Sequence, residues 1–270
     1  MLRSNKQIKI EGSSETTREI TRNFKDWLIG FSEGDGTWFI RSNNTLGFEI
    51  AQKTSDSQVL YEIKKTLGFG KVYHNSVSEL SRFVIASNSE SYWKVVNLVG
   101  CGTELRLKKR QTQFKNWLDK LETITGPKIE RQNIQTSLER KQPSWEDSWL
   151  SGFIDAEGCF RISFDKRVNQ YRLFFQVTQD EQEILIKIKE LFGLTHKGQV
   201  RKDRTTWVLA VTGKKARELI IKYLLKHPLK TKKRIAFKKW EECHGLLERE
   251  DVPGVKEKIK RLKESINKSS

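Results

Sequence analysis

Two copies of one short pattern, 122 residues apart, constrain this chain more than any other feature. The first copy is Trp27-Leu28-Ile29-Gly30-Phe31-Ser32-Glu33-Gly34-Asp35-Gly36; the second is Trp149-Leu150-Ser151-Gly152-Phe153-Ile154-Asp155-Ala156-Glu157-Gly158. Each reads as an apolar helix with small residues four apart, Gly30 and Gly34 in one, Gly152 and Ala156 in the other. A carboxylate and then a glycine end each helix. The small residues let two such helices pack nearly backbone to backbone, which predicts Asp35 and Glu157 at the same end of the pair. Two carboxylates repel each other, and negative charge at a helix C-terminus opposes the macrodipole. The pattern therefore calls for a positive group at the acids.

The duplication extends well beyond the motif. Thr37 to Ser42 and Leu46 to Gln52 alternate apolar and polar residues around Asn43-Asn44, the pattern of a hairpin. Ser55 to Leu67 has helical period, with Ser55 or Asp56 as its expected cap, and Gly68-Phe69-Gly70 breaks it. A second hairpin (Lys71 to Tyr73, Arg82 to Ala86) and helices over Ser91 to Val99 and Leu107 to Leu121 follow. The same order recurs as Cys159 to Phe164 with Tyr171 to Gln179, Glu181 to Phe192, Gly198 to Arg201 with Thr206 to Val211, Lys214 to Leu225 and Lys233 to Leu247. Leu28 matches Leu150, Gly68 matches Gly193 and Lys108 matches Lys232, at offsets of 122, 125 and 124. A repeat of this length exceeds a solenoid unit. The fold class is α+β, two pseudo-symmetric αββαββα halves at 24–122 and 145–250. Flanking them are a polar arm (1–23), a linker with Gly126-Pro127 and Pro143 (123–144), and a lysine-rich tail (251–270) expected as a surface helix or disordered.

Lysine and arginine number 51 against 34 acids, a net charge of +17. Such a balance points to a polyanionic partner bound in a salt-dependent way. Cys101, Cys159 and Cys243 are scattered and lack metal-ligand spacing, so neither a disulfide framework nor a zinc site is supported. No apolar run approaches the ~18 residues of a membrane span. Gly100-Cys101-Gly102-Thr103 and Gly213-Lys214-Lys215 lack the spacing of a phosphate-binding loop. Trp27, Trp149, Trp117 and Trp240 sit at repeated positions in apolar settings and read as core.

The paired motifs, in register with a repeat of hairpins and helices, resemble the signature of the LAGLIDADG homing endonucleases in their single-chain, two-motif form. The resemblance covers nearly the whole chain, and the first copy departs by carrying Glu33 where the family has aspartate as a polar helix-end group. It implies a saddle of two antiparallel sheets with the motif helices at the central seam. Carboxylates and carbonyls are hard ligands suited to Mg²⁺, with Mn²⁺ or Ca²⁺ able to occupy the same place. Asp35 and Glu157 are the expected metal ligands, and the resemblance adds the carbonyls of Gly34 and Ala156. It also assigns Gln52 and Gln179, at the ends of Phe48-Glu49-Ile50-Ala51-Gln52 and Phe175-Gln176-Val177-Thr178-Gln179, to orienting metal-bound water. Lys108 and Lys232, in Leu-Lys-Lys-Arg and Thr-Lys-Lys-Arg, match the family's active-site lysine, whose charge steadies the transition state.

Strand parity supplies a DNA-reading surface. Phe160, Ile162 and Phe164 are expected to face a core, leaving Arg161 and Ser163 on the opposite face, as Phe39 and Arg41 are in the first half. Glu49, Arg172 and Gln176 come next, then Lys71, Tyr73, Arg201 and Asp203 on the second hairpins. These are the residue types that read base edges in the major groove. The resemblance implies a monomer acting on double-stranded DNA and cutting both strands with a stagger, encoded in an intron of an organelle genome, the mitochondrion before the chloroplast. Two rivals share the frame: an RNA maturase that binds its host intron RNA, and a DNA-binding protein without catalysis. Intact Asp35 and Glu157 argue against the last, since a pure binder has no use for two repelling acids.

Overall fold

The computed structural model describes residues 20–126, 141–194, 198–249 and 252–266. Residues 1–19 of the expected arm, 127–140 of the expected linker and 267–270 of the tail lie outside the described residues. Two compact units divide the chain, Met1–Ala156 and Glu157–Ser270. The division falls within the second motif helix, before its last residue.

In the first unit, α1 (Arg22–Asp35) leads into β1 (Gly36–Ile40), β2 (Leu46–Lys53), α2 (Gln58–Leu67), β3 (Lys71–Asn75), β4 (Leu80–Val84), α3 (Ser89–Leu98) and α4 (Lys108–Thr125). Helix α5 (Trp149–Glu157) then contributes all but its last residue to this unit. The strands form one antiparallel sheet ordered β1-β2-β4-β3. The second unit repeats the plan: β5 (Gly158–Asp165), β6 (Gln170–Gln179), α6 (Gln182–Leu191), β7 (Gly198–Asp203), β8 (Thr206–Val211), α7 (Lys214–Lys226) and α8 (Lys233–Leu246), with sheet order β5-β6-β8-β7.

Local chemistry explains where the elements start and stop. Thr21 caps α1 by accepting the Phe24 N–H, and Asn88 caps α3 by accepting the Ser91 N–H at 2.8 Å. Gly68 ends α2 at φ 75°, a left-handed position that a side chain disfavours. The expected cap of α2 is different. Neither Ser55 nor Asp56 serves, because Thr54–Asp56 form a 3₁₀ turn that runs straight into the helix through Ser57, itself at helical φ and ψ. Asn44, at φ 64°, turns the first hairpin.

Each sheet buries one face under its helices. Trp38, Phe48, Phe83, Phe114 and Trp117 fill the first core; Phe160, Phe175, Phe237 and Trp240 fill the second. The repeat is visible at the level of single bonds. Trp117 Nε1 donates to the Gly47 carbonyl at 2.9 Å, and Trp240 Nε1 donates to the matching Phe174 carbonyl at 3.1 Å. All four repeated tryptophans are buried, as expected. Phe164 departs from its expected place: it is half-buried at the sheet edge against Tyr171. The tail is a helix, α9 (Val255–Ser265), seated on α8 and β5 through Ile259. Lys239 Nζ donates to the Ser265 carbonyl at 2.7 Å and fixes its far end.

Helices α1 and α5 pack backbone to backbone, as their small residues require. A Cβ on Gly30 would lie 1.9 Å from the Trp149 carbonyl oxygen, and one on Gly152 would lie 1.8 Å from that of Trp27. The indoles close the contact: Trp27 Nε1 donates to Asp155 Oδ2 at 2.8 Å, and Trp149 Nε1 donates to Glu33 Oε2 at 2.6 Å.

Glu33 therefore does more than end a helix politely. Its other oxygen accepts the backbone N–H groups of Arg106 and Leu107, both at 2.7 Å, so one fully buried carboxyl joins α1, α5 and the start of α4. Arg106 adds a second tie, pairing with Asp147 at 2.8 Å while lying 4.5 Å over the Trp149 ring. Burial raises the Glu33 carboxyl from 4.5 to about 7, against the pull of its three hydrogen bonds. Between those values the folded chain holds more proton at this site than the unfolded chain. The stability this proton contributes is fully present below about pH 4.5 and is lost as pH rises through about 7. The swing is on the order of 3 kcal/mol. Urea midpoints at pH 5 and pH 8 are expected to differ more in the wild type than in Glu33→Gln, which cannot titrate; equal slopes would refute the assignment.

Candidate functional site

Asp35 is the last residue of α1, and Gly36 is already the first residue of β1. Glu157 and Gly158 stand in the same relation at α5 and β5. Each acid is thus held between a helix and a strand with no loop to loosen it. Gly36 makes the junction tight, since a Cβ there would meet the Ser32 carbonyl oxygen at 2.5 Å. Both acids are half-buried.

Each acid has a glutamine from its own sheet. Gln52 on β2 donates its Nε2 to Asp35 Oδ2 at 2.5 Å, and Gln179 at the end of β6 donates to Glu157 Oε1 at 3.4 Å. Strand alternation puts both glutamines on the helix-facing side, in phase with Ile50 and Val177.

The positive group that α1 calls for is present in the first unit as Arg110, on the first turn of α4. Its Nε donates to the Glu33 carbonyl at 2.7 Å and its Nη2 to the Gly34 carbonyl at 2.8 Å, while Nη1 reaches Gln113 Oε1. A guanidinium fork at the last carbonyls of a helix satisfies orphan acceptors and offsets the negative end of the macrodipole. Arg110 was visible in sequence only as the last letter of Leu-Lys-Lys-Arg. Its repeat in Thr-Lys-Lys-Arg as Arg234 was the available signal, although Arg234 is exposed.

Lys108 is the first residue of α4 and exposed; Lys232 occupies the N-cap of α8 and is half-buried. At each helix end the available donors are oxygens: the Asp35 carboxylate and the Gly34 carbonyl at the end of α1, and the Glu157 carboxylate and the Ala156 carbonyl at the end of α5. Among the described residues no group of three or more His, Cys, Asp or Glu side chains gathers as a metal cluster. Hard oxygen donors of this sort fit Mg²⁺ or Ca²⁺, which complete their shells with water, and do not fit zinc or copper.

The sheets sort the expected reading residues cleanly. In the first, Phe39, Glu49, Lys71 and Tyr73 share the face turned away from the helices, with Arg82 between Glu49 and Tyr73, and Arg41, just past the end of β1, lies over the Phe39 ring. Phe39 is half-buried there rather than exposed, because it lies across Gly47 with Arg41 over its ring. In the second, Arg161, Ser163, Arg172, Gln176, Arg201 and Asp203 share the corresponding face, together with Cys159 and Phe174.

Comparison with known proteins agrees with the repeat. A family model described as LAGLIDADG endonuclease matches residues 28–122 and again residues 150–244. The chain is 31% identical over 271 residues to a probable intron-encoded endonuclease 4 of Neurospora crassa, covering 96% of this chain and 48% of that protein. It is 25% identical to an uncharacterized cox1 intron-2 37.2 kDa protein of Schizosaccharomyces pombe, covering 83% and 66% respectively. The chain thus spans about half to two thirds of the length of these relatives. Among solved structures, the LAGLIDADG meganuclease I-AabMI bound to uncleaved DNA superposes with a TM-score of 0.73 at 20% identity, over 90% of this chain and 99% of that one.

Proposed function

Since the chain belongs to the LAGLIDADG endonuclease family, we propose that it is an intron-encoded, sequence-specific DNA endonuclease that makes a metal-dependent staggered break in a long asymmetric duplex site. The observation that carries this reading is the twice-repeated pair of a helix-terminal acid and a sheet glutamine, Asp35 with Gln52 and Glu157 with Gln179. A solvated helix end has no need of an amide partner; an acid held at a fixed angle does.

Asp35 and Glu157 are the proposed metal ligands, each with the carbonyl of the residue before it, Gly34 and Ala156. Mg²⁺ is the proposed ion. When bound, such an ion activates water and stabilises the leaving oxygen of a phosphodiester. Gln52 and Gln179 fix the rotamers of the acids, and their remaining amide atoms orient water. Lys108 and Lys232 bring positive charge to the helix starts, where a DNA phosphate is attracted and its developing charge steadied. The outward faces of the two sheets read bases, and their different side chains favour an asymmetric site. No helix among the described residues is long and apolar enough to cross a membrane. Kinship to a protein named for a cox1 intron supports a mitochondrial setting, and the single chain carrying both motifs supports action as a monomer.

The test is incubation with duplex DNA of the uninterrupted host allele and Mg²⁺. Double-strand cleavage that EDTA abolishes is expected; no metal-dependent cleavage of that allele would sink the reading. Binding is expected to weaken by about a thousandfold or more between 50 and 200 mM salt, as for a protein neutralising six or more phosphates, measurable by fluorescence anisotropy.

A further inference from the structure

Four of the arginines on or beside the outward faces of the two sheets fall into two classes. Arg172 is held by Asp165 at 3.0 Å, and Arg82 faces Glu49 at 3.5 Å. Arg161 and Arg41 have no carboxylate partner among the described residues. Each instead lies over a phenylalanine ring, Arg161 at 4.6 Å from the Phe174 centroid and Arg41 at 5.3 Å from that of Phe39.

The rings occupy equivalent places, built from different strands. In the β1–β2 pair Phe39 stands opposite Gly47; in the β5–β6 pair Arg161 stands opposite Phe174. Strand β2 yields to its ring, since a Cβ on Gly47 would fall 2.2 Å from Phe39. Behind each seat, the core tryptophans Trp117 and Trp240 hold the strand carbonyl of Gly47 or Phe174. The same device, a ring under an unpaired guanidinium, is therefore made twice.

Stacking engages the flat face of a guanidinium and leaves its in-plane N–H fork free. It also confines a long side chain before any partner arrives, which lowers the entropy lost on binding. That fork matches O6 and N7 of guanine in the major groove, whereas a paired arginine must first release its carboxylate. We propose that Arg161 and Arg41 are the specificity-determining guanine readers of their sheets, with Phe174, and Phe39 seated on Gly47, as positioning residues. The inference rests on the DNA-reading function proposed above and names which residues of each face carry base discrimination.

The full chain is tested by selection from a randomised duplex library, followed by affinities for the consensus and its single-base variants. The wild type is expected to select a consensus containing guanines. Arg161→Ala should lose discrimination at one guanine by about tenfold to a hundredfold, and Arg41→Ala should do so at a different guanine. Arg261→Ala, an arginine of α9 paired with Glu257 and outside both sheets, should change no base preference. Phe174→Leu and Gly47→Ala should weaken the same discriminations by about threefold while keeping the base selected, a split that a merely structural role does not produce. A consensus that Arg161→Ala and Arg41→Ala both leave intact overturns the inference and spares the DNA-reading function. A wild type that selects no consensus overturns both.

Discussion

Asp35→Asn is expected to lower double-strand cleavage by at least about a thousandfold while leaving DNA binding and the fold in place. The carboxylate lies at the C-terminus of α1, where it is electrostatically unfavourable by about 0.3–1 kcal/mol. The neutral amide relieves that cost, so the variant should melt at the same temperature or slightly higher. Function takes the loss instead. A hard divalent cation gains little from an amide in place of a carboxylate, and the several kcal/mol it supplies to a phosphodiester transition state correspond to three or more powers of ten. Gln52 would meet the Asn side chain through its amide oxygen after a flip, which keeps the rotamer near its native position. Anisotropy, thermal melting and a cleavage assay together separate the outcomes. Cleavage within tenfold of the wild type would remove Asp35 from the machinery, and a drop in melting temperature of many degrees would recast it as structural.

Gly152→Ala is expected to be among the most destabilising single substitutions in the chain, costing roughly 4 kcal/mol or more. The added Cβ would sit 1.8 Å from the Trp27 carbonyl oxygen and 2.8 Å from the Phe31 nitrogen. Both are backbone atoms of a helix, so no rotamer change relieves the overlap, and α1 and α5 must part by more than an ångström. Parting them stretches the Trp27–Asp155 and Trp149–Glu33 hydrogen bonds together, leaving buried acceptors and indole N–H groups short of partners. Gly30→Ala should behave alike, since its Cβ meets the Trp149 carbonyl at 1.9 Å. Gly245→Ala on α8 is the control. A Cβ there meets nothing within 4 Å, and alanine should be neutral or stabilising by up to about 1 kcal/mol. Calorimetry is expected to show a fall of about 10 °C or more for Gly152→Ala; a melting temperature equal to that of Gly245→Ala would refute the packing argument.

Much of the fold is legible in the sequence alone. Duplication set the element order, because periodicity and glycine punctuation recur at nearly constant offset, and alternation along β1, β2, β5 and β6 put the proposed reading residues on the face turned away from the helices. Contacts between distant segments were not legible. Glu33 looked like a tolerated variant at a helix end, yet its carboxyl accepts from Arg106, Leu107 and Trp149, partners 73 to 116 positions away. Nothing in its neighbours announces that. Arg110 was hidden for the same reason: one more cation in a basic run, distinguished only by which carbonyls lie within its reach. The cap of α2 was misplaced by local rules alone, since Ser55 and Asp56 both suit an N-cap and a 3₁₀ turn displaced them. The lysine-rich tail offered few apolar residues, but Ile259 sits on one side of α9 and is enough to dock it.

The alternation of side chains along the strands has an evolutionary consequence. Residues such as Arg161 and Ser163 project away from Phe160 and Ile162, so they can be exchanged without touching the core or the helix pair. Mutational drift on the outward faces is nearly free of folding cost, whereas a single methyl group at Gly30 or Gly152 is not. A lineage with this architecture can change what its outward faces present by small steps, each intermediate still folded, while the helix pair stays frozen.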